Sequence, residues 1–194
     1  MPRRSRVPDL ASRCGRCLFP PAFCLCAEIR PVETRTRLVL LRHASEIGRP
    51  TNTVRWAALA LSGAEVVEYG LPGARLDDRA LRGAGTWVLF PSPRPSQPPA
   101  EPPRRLVVLD GSWAQARRML QRVPALRALP RLSLPAPAPG ARLRRPTVAG
   151  GMSTLEALAG ALALLGETQA ARRLEALHAA ALDRATRLRY GKGA

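Results

Sequence analysis

Residues 106–119 read LVVLDGSWAQARRM. The four apolar residues Leu106 to Leu109 predict a short buried strand, Asp110 and Gly111 break it, and Ser112 opens an amphipathic helix. Ser112-x-x-Gln115 is a capping-box pattern, so that helix has a defined start. In open α/β sheets ligands sit beyond the carboxyl ends of strands, where a helix N-terminus offers free N–H groups and the positive end of its dipole. Asp110 is placed at that edge and is the first candidate for chemistry. The plainer alternative makes Asp110 a strand terminator and Ser112 only a cap.

Upstream, Arg37 to Leu41, Glu65 to Tyr69 and Thr86 to Phe90 read as strands, with helices over Thr51 to Leu61 and Asp77 to Leu81. Downstream, Pro124 ends the helix opened at Ser112, and Leu132 to Leu134 and Ala141 to Leu143 are weaker strand candidates. Ser153-x-x-Glu156 is a second capping box, opening a helix with Leu155, Leu158, Leu162 and Leu165 on one side. A last helix, Thr168 to about Leu188, turns Leu174, Leu177, Ala181 and Leu188 inward. Its arginines read first as a solvated face and second as an RNA contact. Strands alternating with helices predict an α/β fold. PSPRPSQPPAEPPRR, residues 91–105, is too rich in proline for regular structure and is read as an exposed insertion rather than a domain boundary. Neither half of the chain has strands enough for its own sheet.

The 194 residues carry 31 Lys+Arg against 14 Asp+Glu, a net charge of +17. That excess points to a polyanionic partner, most simply nucleic acid. Compositional bias explains why Lys192 is the sole lysine, but not the excess over acids. Few aromatic residues argue against a stacking platform for single strands. No apolar run approaches a membrane span, and MPRRSRVPDLASR lacks the apolar core of a signal peptide, so a soluble, cytoplasmic protein is expected. Neither a G-x-G-x-x-G nor a GK[ST] phosphate loop is present.

All four cysteines, Cys14, Cys17, Cys24 and Cys26, fall within CGRCLFPPAFCLC. C-x₂-C followed by C-x-C brings four thiolates around one tetrahedral ion. Zinc is expected, with iron the alternative. Four sulfurs close the coordination sphere, so the ion would be a structural staple. Residues 1–34 are accordingly read as a small zinc-binding segment and 35–194 as the α/β domain.

The cysteine pattern, HASEIGRPTNT at 43–53, LFPS at 89–92, LDGSWAQARRM and MSTLEA at 152–157 together resemble the DTW-domain proteins, the tRNA-uridine aminocarboxypropyltransferases. The resemblance runs in order along nearly the whole chain. The family's Asp-x-Thr-Trp signature stands here as Asp110, Gly111, Ser112, Trp113, with Ser in place of Thr and the hydroxyl retained. The resemblance implies a mostly parallel, SPOUT-like sheet with a possible C-terminal trefoil knot. It also implies transfer of the 3-amino-3-carboxypropyl group of S-adenosylmethionine to N3 of a tRNA uridine, releasing 5′-methylthioadenosine. A homodimer and a monomer both remain compatible with it.

On these positions, Asp110, Ser112 and Trp113 are the expected catalytic residues. Asp110 is either the base for N3 or the partner of the donor's amino group, and Trp113 is either a stacking partner or core. Three loops after strands are expected to hold the donor: Phe90, Pro91 and Ser92; Asp110 and Gly111; and Arg144 with Ser153, Thr154 and Glu156, Arg144 or Arg145 pairing with the donor carboxylate. His43, Glu46, Arg49, Asn52 and Thr53 become candidates for the uridine or tRNA backbone. Without the resemblance His43 is an ordinary strand-end residue and Asn52 a helix cap. Arg117 and Arg118 are read as phosphate contacts. A methyltransferase using the same donor and a zinc-stapled RNA-binding module without chemistry are the rival readings.

Overall fold

The computed structural model describes residues 10–137, 143 and 151–190. Its regular elements are β1 (Arg37–His43), α1 (Thr53–Ala60), β2 (Glu65–Tyr69), β3 (Thr86–Leu89), β4 (Arg105–Asp110), α2 (Trp113–Arg122), α3 (Pro124–Arg127), β5 (Arg131–Leu132), α4 (Thr154–Leu164) and α5 (Thr168–Tyr190). The strands form one sheet in the order β2-β1-β4-β3-β5, and every pairing is parallel.

A parallel sheet buries both faces, and the alternation of side chains divides the core in two. Leu38, Leu40, Leu106 and Val108 face α1, α4, α5 and the N-terminal segment. Val39, Leu41, Val88 and Val107 face α2 and α3. The central strands β1 and β4 are therefore continuously apolar over Leu38–Leu41 and Leu106–Leu109, as the run LVVL already indicates.

After β1 the chain leaves toward β2 at one edge, and after β4 it leaves toward β5 at the other. The crevice between the carboxyl ends of β1 and β4 is thus a topological switch point, where open α/β sheets bind ligands. Asp110 ends β4 in this crevice, in register with Arg42 of β1.

Most elements stand where the sequence places them, with differences that have local causes. The helix expected at Asp77 to Leu81 is one 3-10 turn at Arg79–Leu81. Pro124 both ends one helix and starts another: α2 stops at Arg122, Val123 caps it, and Pro124 becomes the first residue of α3, where a missing N–H costs nothing. The strand expected at Leu132 to Leu134 is the two-residue β5 at Arg131–Leu132, because Ser133 leaves the ladder: its N–H donates to Ser96 Oγ at 2.9 Å and its carbonyl accepts from Ser96 N–H at 2.7 Å. Of the strand expected at Ala141 to Leu143, only Leu143 is among the described residues. The C-terminal knot also depends on residues outside them.

The cysteine segment folds as a tight knuckle. Cys14 and Phe19 pair through Cys14 N–H to the Phe19 carbonyl at 2.9 Å, and Leu18 N–H reaches the Cys14 carbonyl at 2.9 Å. Leu18 makes the turn with a left-handed φ of 61°. The knuckle docks on α1: Phe19 stacks on Trp56 at 5.4 Å, and Trp56 Nε1 donates to the Cys17 carbonyl at 2.9 Å. Its Phe19, Leu25 and Ile29 belong to the same apolar cluster as α1, α4 and α5.

Candidate active site and metal centre

The switch-point crevice opens into a cavity of about 590 Å³, a size suited to a nucleoside-sized ligand. Its walls come from four places in the chain: the turn after β1, the ends of β3 and β5, the β4–α2 junction, and the start of α4.

Asp110 is the polar centre of this cavity, 4% exposed. Asn52 Nδ2 donates to its Oδ2 at 2.7 Å, and the Thr154 hydroxyl donates to its Oδ1 at 2.7 Å. Asn52 is itself the N-cap of α1, accepting from Arg55 N–H at 2.9 Å. Thr154 is the first residue of α4. One carboxylate therefore ties together β4 and the N-terminal ends of two helices.

Both capping boxes are formed. Ser112 Oγ accepts from Gln115 N–H while Gln115 Oε1 accepts from Ser112 N–H, and Ser153 and Glu156 do the same at α4. The hydroxyl of Ser112 is thus engaged in starting α2. The boxes use the first and fourth N–H groups of each helix start. Those of Trp113, Ala114, Thr154 and Leu155 remain as the donors without a partner among the described residues. Two positive dipole ends face one cavity, an arrangement suited to a carboxylate.

Phe90 and Trp113 stack at 5.5 Å with planes 8° apart, and both line the cavity. Pro91, Gly111, Ser153, Thr154 and Glu156 line it as well, as do Glu46, Arg49 and Thr53. Glu46 is buried, 2% exposed, with Arg49 Nε 3.2 Å from its Oε1.

Other residues singled out in the sequence stand outside the cavity wall. Ser92 turns away: its N–H donates to Ser133 Oγ at 2.9 Å and its hydroxyl to the Arg94 carbonyl at 2.6 Å. His43 lies behind Gly111. Its Nδ1 accepts from Ser45 N–H at 3.2 Å and sits 3.2 Å from Gln115 Nε2, and Gln115 Nε2 also donates to Ser45 Oγ at 3.0 Å. A Cβ on Gly111 would come within 3.1 Å of Gln115 and 3.4 Å of His43, so glycine there lets the two networks meet. Arg117 and Arg118 are exposed on α2. Arg144 and Arg145 are outside the described residues.

Sequence reasoning missed the wall formed by Leu134, Pro135 and Ala136. It also missed Arg131, whose guanidinium lies 5.8 Å from the centroid of the Phe90 ring. The proline-rich insertion could have suggested the first, because it is anchored there: Ser96 N–H donates to the Ser133 carbonyl at 2.7 Å. His178, 3.7 Å from Glu156 Oε2, carried no sequence signal.

The four cysteine sulfurs lie within 4.8 Å of one another, with Cys14–Cys26 at 3.6 Å and Cys17–Cys24 at 3.8 Å. A ZnS₄ tetrahedron with bonds of about 2.3 Å has edges of about 3.8 Å, so the cluster fits such an ion. Leu25 N–H donates to Cys17 Sγ at 3.3 Å, the kind of bond that stabilises a thiolate. Backbone donors of Cys17 and Arg16 hold the Cys14 thiol down at about 6. Burial pushes Cys26 up to about 12 and raises Cys17 as well. The centre can hold a metal ion.

A parallel sheet with a cavity at its switch point, lined by a clamped carboxylate and two capped helix starts, defines an α/β ligand-binding protein. Residues 11–186 match the model of the DTW domain, and the chain belongs to that family. It is similar to tRNA-uridine aminocarboxypropyltransferase 2 of Drosophila melanogaster, 30% identical over 174 residues that span 81% of this chain and 68% of the fly protein. It is likewise similar to tRNA-uridine aminocarboxypropyltransferase 2 of Mus musculus, 30% identical over 118 residues spanning 54% of this chain and 39% of the mouse protein. No solved structure gives a significant match. No helix among the described residues is long and apolar enough to cross a membrane.

Proposed function

We propose that this protein is a tRNA-uridine aminocarboxypropyltransferase, using S-adenosylmethionine to modify N3 of a tRNA uridine. The observation that carries the reading is the convergence of Asp110, the N–H groups at the starts of α2 and α4 and the Phe90–Trp113 stack on one cavity. The family membership and the names of the fly and mouse relatives support it.

S-adenosylmethionine, when bound, supplies an electrophilic γ-carbon attached to a sulfonium. The N–H groups at the starts of α2 and α4 would hold the carboxylate of such a donor. Phe90 and Trp113 offer flat apolar surface for a base. The Asp110 carboxylate is the acceptor assigned to the N3 proton, and a positioned base of this kind contributes about 10²–10⁴-fold. As N3 bonds to the γ-carbon, the carbon–sulfur bond breaks and the pair stays on sulfur, giving neutral methylthioadenosine. Asn52 and Thr154 keep Asp110 from rotating, which supplies orientation. The cysteine centre is assigned structural zinc.

The test is incubation with tRNA and donor labelled in the carboxypropyl chain. Labelled tRNA together with methylthioadenosine supports the reading. Formation of S-adenosylhomocysteine overturns it in favour of methylation. Tight tRNA binding without either product leaves an RNA-binding module.

A further inference from the structure

Between Asp110 and Glu156 the sequence contains no Asp or Glu, yet it contains Arg117, Arg118, Arg122, Arg127, Arg131, Arg142, Arg144 and Arg145. The first five are described and all are exposed: three on α2, one at the end of α3 and one on β5. None of the five is within ion-pair distance of a carboxylate among the described residues; Arg118 Nε reaches only the Ala114 carbonyl and Arg131 only the Phe90 ring.

Elsewhere several arginines have acidic partners close by. Arg42 pairs with Glu68, Arg79 with Asp77, Arg82 with Asp78, Arg184 with Glu28 and Arg187 with Asp183. Helix α5 is rich in arginine too, but Glu175 and Asp183 are interspersed there. The α2–α3–β5 layer therefore carries five exposed arginines with no acidic residue interspersed. That layer reaches the cavity: Arg131 lies over Phe90, Phe90 stacks on Trp113, and Trp113 is the first residue of α2.

We infer that the α2–α3–β5 layer is the surface on which folded RNA lies, its phosphates on Arg117, Arg118, Arg122 and Arg127, with Arg131 at the cavity rim. This rests on the function proposed above and assigns its partner a place. Residues 114–131 contain no aromatic side chain, so the layer has no means of stacking unpaired bases. It reads backbone charge and leaves base recognition to the cavity. A base turned out of the RNA enters past Phe90 and Trp113.

The experiment compares tRNA binding across a salt series for the wild type, for Arg117→Gln/Arg122→Gln/Arg127→Gln, and for Arg172→Gln/Arg173→Gln on α5. Each phosphate contact contributes about 0.7–0.9 to the slope of log affinity against log salt, so the first variant should lose roughly two to three units of slope. The α5 variant should keep the wild-type slope. Circular dichroism checks the fold, and if the triple variant is unfolded, Arg122→Gln alone should lose about one unit. Cross-linking of 4-thiouridine tRNA to the wild type should give adducts within residues 113–131. An unchanged slope in the α2–α3 variant, or loss only in the α5 variant, overturns the assignment. Wild type that binds tRNA through this layer yet transfers nothing keeps the surface and sinks the reaction. Wild type that transfers with unchanged affinity in the α2–α3 variant does the reverse.

Discussion

The hydroxyl of Thr154 and the carboxylate of Asp110 meet at 2.7 Å across 44 residues of chain. The bond locks the start of α4 to the end of β4. Thr154→Val keeps the shape and removes the donor, which should cost about 1–3 kcal/mol of stability because the acceptor is buried. Transfer should fall with it, and Thr154→Ser should restore both. Thermal melts alongside the labelled-transfer assay read the two effects.

Asn52 has two functions on one side chain, and they can be separated. Its oxygen caps α1 and its nitrogen holds Asp110. Asn52→Asp keeps a good cap but sets a second carboxylate against the first. Transfer should therefore drop well beyond what the melting temperature shows, whereas Asn52→Ser should lose only part of each. Equal activity in Asn52→Asp and wild type would remove Asn52 from the site.

Asp110→Asn presents an amide to donors on both sides. Its oxygen can still accept from Asn52 while its NH2 donates to the Thr154 hydroxyl, which turns to accept, so the clamp is kept, the basic carboxylate is lost, and turnover should fall by about 10²–10⁴-fold. A loss confined to kcat marks the base. A rise confined to the donor's KM marks the partner of its amino group.

Trp113 is half-buried against Phe90 and reports on the cavity. Donor binding should change tryptophan fluorescence, and Trp113→Phe should abolish that change while the signal of the buried Trp56 persists. Replacing the stack with Trp113→Ala should cost about 0.5–1.5 kcal/mol beyond lost area.

Metal uptake at the cysteine centre should release protons. With Cys14 at about 6, its thiol is already ionised near neutrality, whereas Cys26 at about 12 and the raised Cys17 still hold theirs. Raising the pH removes the competing protons, so affinity should climb about tenfold per pH unit for each proton released. Competition with a chromogenic chelator measures this. Stripping the metal should lower the melting temperature and perturb Trp56, which donates to the Cys17 carbonyl.

The elements were legible because their signals are local. LVVL is buried on both faces, Ser112 and Ser153 cap their helices, and four cysteines in thirteen residues have few other geometries. Asp110 was legible as a strand-end carboxylate, but its partners were not, since Asn52 and Thr154 reach it only through sheet order. The same holds for His43: its position beside the signature strand was readable, and its enclosure with Ser45 and Gln115 behind Gly111 was not. The Leu134–Ala136 wall was obscured because a two-residue strand next to prolines has no periodicity to detect. Arg131 gave only a charge in the sequence, and its seat over Phe90 depends on β5 pairing beside β3.

The strand order also governs how the chain must be assembled. β1 and β3 leave the ribosome before β4, yet β4 lies between them, so during synthesis the two earlier strands have no common partner and keep an open slot. Residues 105–110 close that slot, and the strand that joins the two earlier parts of the sheet is the one that delivers Asp110. A nascent chain stopped short of this point would present unpaired apolar strand edges, a form suited to aggregation or to chaperone capture. In this molecule the catalytic candidate and the folding keystone are one segment.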